Sequence, residues 1–356
     1  MLVYFYVQLL MLAGFGLAMW RRSPAGLQTG SLLPLGVAFV TIFVASSDQL
    51  AQDRHQYYLW YQNARDMLAA GDAPDSLFTR LLDAFPARLQ ATGFGILLST
   101  ALYAAMLALL GLLVRRGIAP WPHAALIALC AVSDRLFMDA AFNTTRSSLA
   151  VVLFLIALVV RPRTVGLLVA LAAFGIHGRV TGLLSLLLLL SLAAARFPRL
   201  LTPLLLAGVG AFLARLVADV SLLPDTAMLD LVLADVESES VRRGIVRASA
   251  LTPSLAVQVG LSLLLPAALL LQAWRRMPAA PRAEAWRRMP PERRQLLCFA
   301  LCALGASLLL YPDVALIQRL FVAPILLLPA FLPWSLLRRL VTIKFIVILL
   351  ILPTYF

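Results

Sequence analysis

Long apolar runs, separated by short breaks that carry arginine, dominate the chain from its first residues to its last. We read about twelve such segments, at roughly 2–20, 31–47, 94–114, 120–142, 144–160, 164–177, 180–195, 200–218, 255–274, 295–311, 314–334 and 340–353. Several approach the ~20 residues that a straight helical crossing of a bilayer needs. Runs of Leu, Ala and Val this long exceed a barrel strand, and backbone in lipid must satisfy its own hydrogen bonds, so the pattern predicts helices. The shortest two, 164–177 and 180–195, form a hairpin joined only by "HGR". Half-helices that break within the membrane thickness are tolerated where they line a cavity.

Composition agrees with the pattern. The 356 residues are 62% hydrophobic and 13% charged, with a mean hydropathy of +0.91, which excludes a soluble fold. The expected fold class is an all-α polytopic membrane protein of about twelve transmembrane helices. A net charge of +13 would suit nucleic acid, but the arginines stand at segment ends, where they orient helices and meet lipid headgroups. Nucleic acid is therefore not an expected partner. Cys130, Cys298 and Cys302 lie within apolar runs and read as packing residues. The scattered histidines offer no metal motif, and no metal or cofactor is expected.

Charge also sets orientation. If the segments alternate, the pairs Arg21/Arg22, Arg115/Arg116, Arg161/Arg163, Arg196/Arg199, Arg275/Arg276 and Arg338/Arg339 all fall on one side. The positive-inside rule makes that side cytoplasmic and the N-terminus external. Of the acidic residues, Glu284 and Glu292 alone share that side. Two outer loops are sizeable, 48–93 and 219–254, and the second carries the amphipathic acidic stretch "DTAMLDLVLADVESESVRR". The inner loop 275–294 includes part of a duplicated "AWRRMP" and reads as an irregular basic linker against anionic lipid.

Four constellations fall on the outer side. Placed on one helix, Arg54, Tyr57, Tyr58, Tyr61 and Arg65 share a face. That face suits an interfacial aromatic anchor, or a platform on which rings stack against a sugar while Arg54 and the adjacent Asp53 bond its hydroxyls. Asp53 also suits a helix cap. In "SDRLFMDAAFNTTRSSLAVVL", helical spacing aligns Arg135, Asp139, Asn143 and Arg146. Arg135 and Asp139 suit an i, i+4 pair. Arg146 opens an apolar span, where burying a guanidinium costs about 2.5–3.5 kcal/mol on insertion scales. A helix N-terminus is already electropositive, so arginine there calls for an anion. His177 and Arg179 occupy the hairpin break, and Arg319 stands in an apolar run with no acidic residue at i±4. Three arginines on separate outer spans, Arg146, Arg179 and Arg319, imply one shared multivalent anion, since the planar guanidinium forks onto phosphate oxygens.

The succession "DQLAQDRHQYYLWYQ", "FNTTRSSLAVVL", "FGIHGRVTGLL" and "LIQRLFVAPI" resembles the EpsG family, polytopic proteins of bacterial polysaccharide clusters similar in role to Wzy polymerases. The resemblance covers about residues 45 to 325. The family pattern is Asn-x-x-Arg-Gln followed by Leu-Ala, and His followed by a small polar residue. Asn143, Arg146, Leu149, Ala150 and His177 match it, whereas Ser147 replaces the Gln and Arg179 stands where Ser is expected. Membership implies a GT-C-like helical bundle and polymerisation of undecaprenyl-diphosphate-linked repeat units at the periplasmic face of the bacterial inner membrane. The expected partners are the lipid-linked donor and acceptor, membrane lipids and a chain-length regulator. On that reading Arg146, Arg179 and Arg319 clamp the diphosphate. Asp53 or His177 is the base, and Arg54, Tyr57, Tyr58, Tyr61, Asp139 and Asn143 hold sugar. The alternatives are a flippase for lipid-linked glycans, which predicts ionisable residues spread through the membrane depth, and a ligase-type transferase sharing the same clamp.

Overall fold

The computed structural model describes residues 52–71, 76–85, 90–132, 144–218, 259–310 and 319–351, with isolated positions that include Asp134, Leu136 and Phe137. The expected spans 2–20 and 31–47 and the loop 219–254 lie outside them. Every regular element among the described residues is helical, so the all-α expectation holds there. Within 48–93, where one aromatic helix was expected, α1 (Gln52–Gln62) and α2 (Ala64–Ala70) break at Asn63, and α3 (Ser76–Ala84) follows. The bundle proper comprises α4 (Ala91–Arg115), α5 (Trp121–Val132), α6 (Thr145–Val159), α7 (Arg163–Ile176), α8 (Gly178–Arg196) and α9 (Leu201–Ala218). It continues, after a π-turn at Gly260–Leu264, with α10 (Leu265–Arg276), α11 (Ala279–Arg288), α12 (Pro291–Leu310), α13 (Val322–Leu327) and α14 (Trp334–Ile351).

Sequence punctuates these helices legibly. Leu102, Met106, Leu109 and Leu113 fall at helical spacing on α4 and are fully buried. α4 stops at Gly117, whose φ of 65° is the left-handed conformation that glycine adopts without a Cβ penalty. The basic segment 275–294, expected as an irregular linker, is helical over most of its length. Each copy of Ala-Trp-Arg-Arg closes a helix, α10 and then α11, and each Met-Pro ends it. Arginine in a last turn favours the helix dipole, and proline cannot continue the ladder, so the duplication is a repeated stop signal. The two tryptophans it supplies, Trp274 and Trp286, meet edge to face at 6.0 Å. Arg294 then secures the turn by donating to the carbonyls of Arg287 (3.3 Å) and Met289 (3.1 Å).

Close crossings use glycine. A Cβ on Gly208 of α9 would stand 2.6 Å from the Gly305 carbonyl oxygen of α12, so these backbones touch. Similarly, a Cβ on Gly166 of α7 would meet the Ala157 oxygen of α6 at 2.9 Å, which holds that hairpin shut.

The two ends of the bundle differ in chemistry. At one end Arg116 donates to the Val159 carbonyl at 3.0 Å, Arg161 pairs with Glu292, and His123 meets the Leu332 carbonyl at 3.2 Å. The other end carries Arg146, His177 and Arg319. Lys344 stands ten residues into α14, about 15 Å from its start at 1.5 Å per residue. It pairs at 2.6 Å with Asp134, just beyond α5, and both side chains are buried. Asp134 in turn accepts from the backbone N–H groups of Leu136 (3.0 Å) and Phe137 (3.3 Å).

The outside of the bundle is apolar. Leu167, Leu168, Leu171 and Phe174 on α7 and Leu186, Leu189 and Leu192 on α8 are exposed. Among the described residues two helices are long and apolar enough to cross a membrane, Gly93–Arg115 and Gly178–Arg196. Thr145–Val159 and Arg163–Ile176 are apolar but shorter. The second arm of the predicted short hairpin is thus a full-length helix, and α7 alone is short.

Candidate functional site

α6 begins with a polar turn buried in an apolar bundle. Thr145, Arg146, Ser147 and Ser148 are all buried, and Ser148 donates its hydroxyl back to the Thr144 carbonyl at 3.0 Å. Arg146, 8% exposed, is enclosed by rings. Its guanidinium carbon lies 4.9 Å from the Trp60 ring centroid, 5.4 Å from Phe78 and 5.7 Å from Tyr57. These distances are within cation–π range. α1 supplies two of the rings and α3 the third, so helices that precede the bundle form the cage.

That cage corrects the expectation of an open sugar platform. Tyr57 and Tyr61 are buried, Tyr57 edge-on to Phe78 at 6.1 Å and Tyr61 stacked on Phe94 of α4 at 5.0 Å. Their faces are spent on docking α1 to the bundle and, for Tyr57, on Arg146. Tyr58 is half-buried. α3 docks just as closely, because a Cβ on Gly175 of α7 would stand 2.7 Å from the Leu77 Cβ.

His177 is the single residue between α7 and α8, with extended backbone at φ −153° and ψ 87°. Its N–H donates to the Ala173 carbonyl at 3.0 Å, and its own carbonyl accepts from the Thr181 N–H at 3.1 Å. The Thr181 hydroxyl lies between the Ala173 and His177 carbonyls, 3.1 and 3.0 Å away, and ties the two helix ends together. The imidazole, 4% exposed, is held by Arg319, whose Nη1 donates to His177 Nε2 at 3.0 Å. Arg319 was expected inside a long span. It instead opens a 3-10 turn, Arg319–Phe321, and the buried Leu320 and Phe321 anchor it.

Arg146, Arg319 and Arg179 all bear electrostatically on His177. Arg146 and Arg319 stand within the bundle, but Arg179 is exposed on the first turn of α8 and forms a rim, not a wall. One arginine thus bonds the buried imidazole directly and two more bear on it through charge, from three separate parts of the chain. The arrangement suits a ligand rich in acceptor oxygens. Asp139 and Asn143 lie outside the described residues, as do the side chains of Asp53 and Arg54. Sequence reasoning missed Phe78 and Thr181 and left Trp60 without a role. Trp60 could have been found at i+3 from Tyr57, and Thr181 at i+4 from the break. Phe78 gave no signal.

No protein-family model, curated protein or solved structure matches the chain.

Proposed function

We propose that this chain is a membrane glycosyltransferase of the EpsG and Wzy type. It polymerises undecaprenyl-diphosphate-linked oligosaccharide repeat units at the periplasmic face of the bacterial inner membrane. The observation that carries the reading is the Arg319–His177 contact at 3.0 Å with Arg146 and Arg179 in electrostatic reach of the same imidazole. The apolar exterior of α7 and α8 favours a bilayer around the bundle, with the remaining apolar segments supplying further crossings to a total of about twelve.

The chemistry follows from the donor set. The oxygen of an acceptor sugar hydroxyl attacks the anomeric carbon of the donor. The bond from that carbon to the phosphate oxygen breaks, and the electron pair leaves with undecaprenyl diphosphate. A diphosphate is already a good leaving anion, so no general acid is required. What helps is fixed positive charge aimed at the oxygens on which charge develops, which the three arginines supply in a water-poor site. The acceptor proton passes to a carboxylate, for which Asp53 is the candidate.

The test is the polysaccharide ladder of a deletion strain complemented with wild type, Arg319→Ala or Arg179→Ala, with protein levels followed by immunoblot. Arg179 is exposed, so its removal spares the fold. Collapse to single repeat units at normal protein level is expected for both variants. Wild-type chain lengths would remove the proposal, and accumulation of lipid-linked units on the inner leaflet would replace it with export.

A further inference from the structure

The Arg319–His177 hydrogen bond fixes the protonation state of the imidazole. A guanidinium carries donors only and stays ionised in proteins, so the ring nitrogen facing it must offer a lone pair. His177 Nε2 is therefore the acceptor in the 3.0 Å contact. A ring with a lone pair on one nitrogen is neutral and carries its proton on the other. Nδ1 is thus an N–H donor. It is buried and meets no other residue at hydrogen-bond distance among the described residues, and the carbonyl of His177 itself, the acceptor near it, already takes two bonds from Thr181. Buried donors left in that state are rare in native structures and point to a group that arrives later.

We propose that His177 binds substrate as a neutral donor, through Nδ1–H to an oxygen of a phosphate group, and is not the base of the transfer step. This rests on the reading of the arginine cluster as a diphosphate site. A base needs a free lone pair, and the one available on this ring is already occupied by Arg319. Protonating Nε2 would expel the Arg319 donor and set a fourth positive charge among Arg146, Arg179 and Arg319. The donor role has no such conflict. It adds one neutral N–H to a set of charged forks, on a ring held by Arg319 and carried by a backbone that the Ala173 carbonyl and Thr181 fix. The acceptor proton must then go elsewhere, which leaves Asp53 as the candidate.

The experiment uses the full chain in lipid nanodiscs, with inorganic pyrophosphate as probe. Asparagine is the informative substitution, because its amide can donate from near the Nδ1 position but cannot take up a proton. His177→Asn is expected to bind pyrophosphate within about threefold of wild type. His177→Ala should lose roughly ten- to a hundredfold, the range for a hydrogen bond to a charged group. The polymer ladder should survive in His177→Asn and shorten in His177→Ala. Equal binding by wild type and His177→Ala overturns the donor role but leaves the diphosphate site standing. Loss of polymer in His177→Asn with pyrophosphate binding intact restores the base. Failure of the wild type itself to bind pyrophosphate removes the site and the donor role together. Nitrogen-15 spectra of histidine-labelled wild type read the tautomer directly, with His177 assigned by its loss in His177→Asn. A neutral Nδ1–H ring is expected, and an imidazolium or an Nε2–H ring overturns the proposal whatever the variants do.

Discussion

The guanidinium of Arg146 sits 4.9 Å above the ring of Trp60, which reaches it from a helix that precedes the bundle. An arginine side chain has many rotamers, and a ring that holds the guanidinium in place reduces what binding must later order. Trp60→Leu keeps apolar bulk and removes the π face, a loss of about 0.5–2 kcal/mol. Pyrophosphate affinity should fall about two- to thirtyfold, whereas Trp60→Phe should retain most of it. Unchanged affinity in Trp60→Leu would reduce the cage to packing.

The buried pair of Lys344 and Asp134 bears on stability instead. Removing one partner leaves the other charge buried, which typically costs about 3–5 kcal/mol. Lys344→Met should therefore unfold at markedly lower denaturant than wild type. Asp134→Asn together with Lys344→Met should recover most of the loss, because the amide oxygen can still accept from Leu136 and Phe137. A double variant as weak as the single one would show that the charges matter for more than mutual neutralisation.

The crossing of α9 and α12 separates two glycines of the same helix. Gly208→Ala would place a methyl group 2.6 Å from the Gly305 carbonyl oxygen, and backbone cannot move aside cheaply. A loss of about 1–3 kcal/mol is expected from such overpacking. A methyl group on Gly210, two residues on, would meet nothing within 4 Å, so Gly210→Ala should be neutral or stabilise by up to about 1 kcal/mol. Thermal unfolding of the two variants side by side decides it, and equal shifts would contradict the crossing.

Charge placement is the most legible feature of the sequence. Alternation alone assigns Arg116, Arg161 and Glu292 to one side, and they gather at one end of the bundle. The reason is that a long apolar helix leaves charged residues few places to stand except its ends, so their order along the chain encodes the order of the helix ends. Arg146, His177 and Arg319 are likewise legible as isolated polar residues in apolar surroundings. Their aromatic enclosure is not. The helical wheel puts Tyr57 and Tyr61 on one face, but the wheel does not say whether that face meets water, lipid or another helix. Here it meets Phe78 and Phe94, which belong to other helices. The role of Lys344 is hidden for a similar reason, because its partner Asp134 lies 210 positions away.

Packing also reaches the site from outside it. Gly175 of α7 and Leu77 of α3 are in contact tight enough that an added methyl would stand 2.7 Å from the Leu77 Cβ. Gly175→Ala must therefore push α3 outward, and Phe78, the next residue, moves with it. Phe78 is one wall of the Arg146 cage, 5.4 Å from the guanidinium. Hydrogen exchange across α1 and α3 should quicken in Gly175→Ala, and pyrophosphate affinity should drop in the same variant. Adding Leu77→Ala keeps the Leu77 Cβ but removes Cγ and Cδ2, which the added methyl would also meet, and should restore part of both, a non-additivity of about 0.5–3 kcal/mol in a double-mutant cycle. If the two substitutions simply add, the outer helices do not hold Arg146 through this contact, and the cage closes by other means.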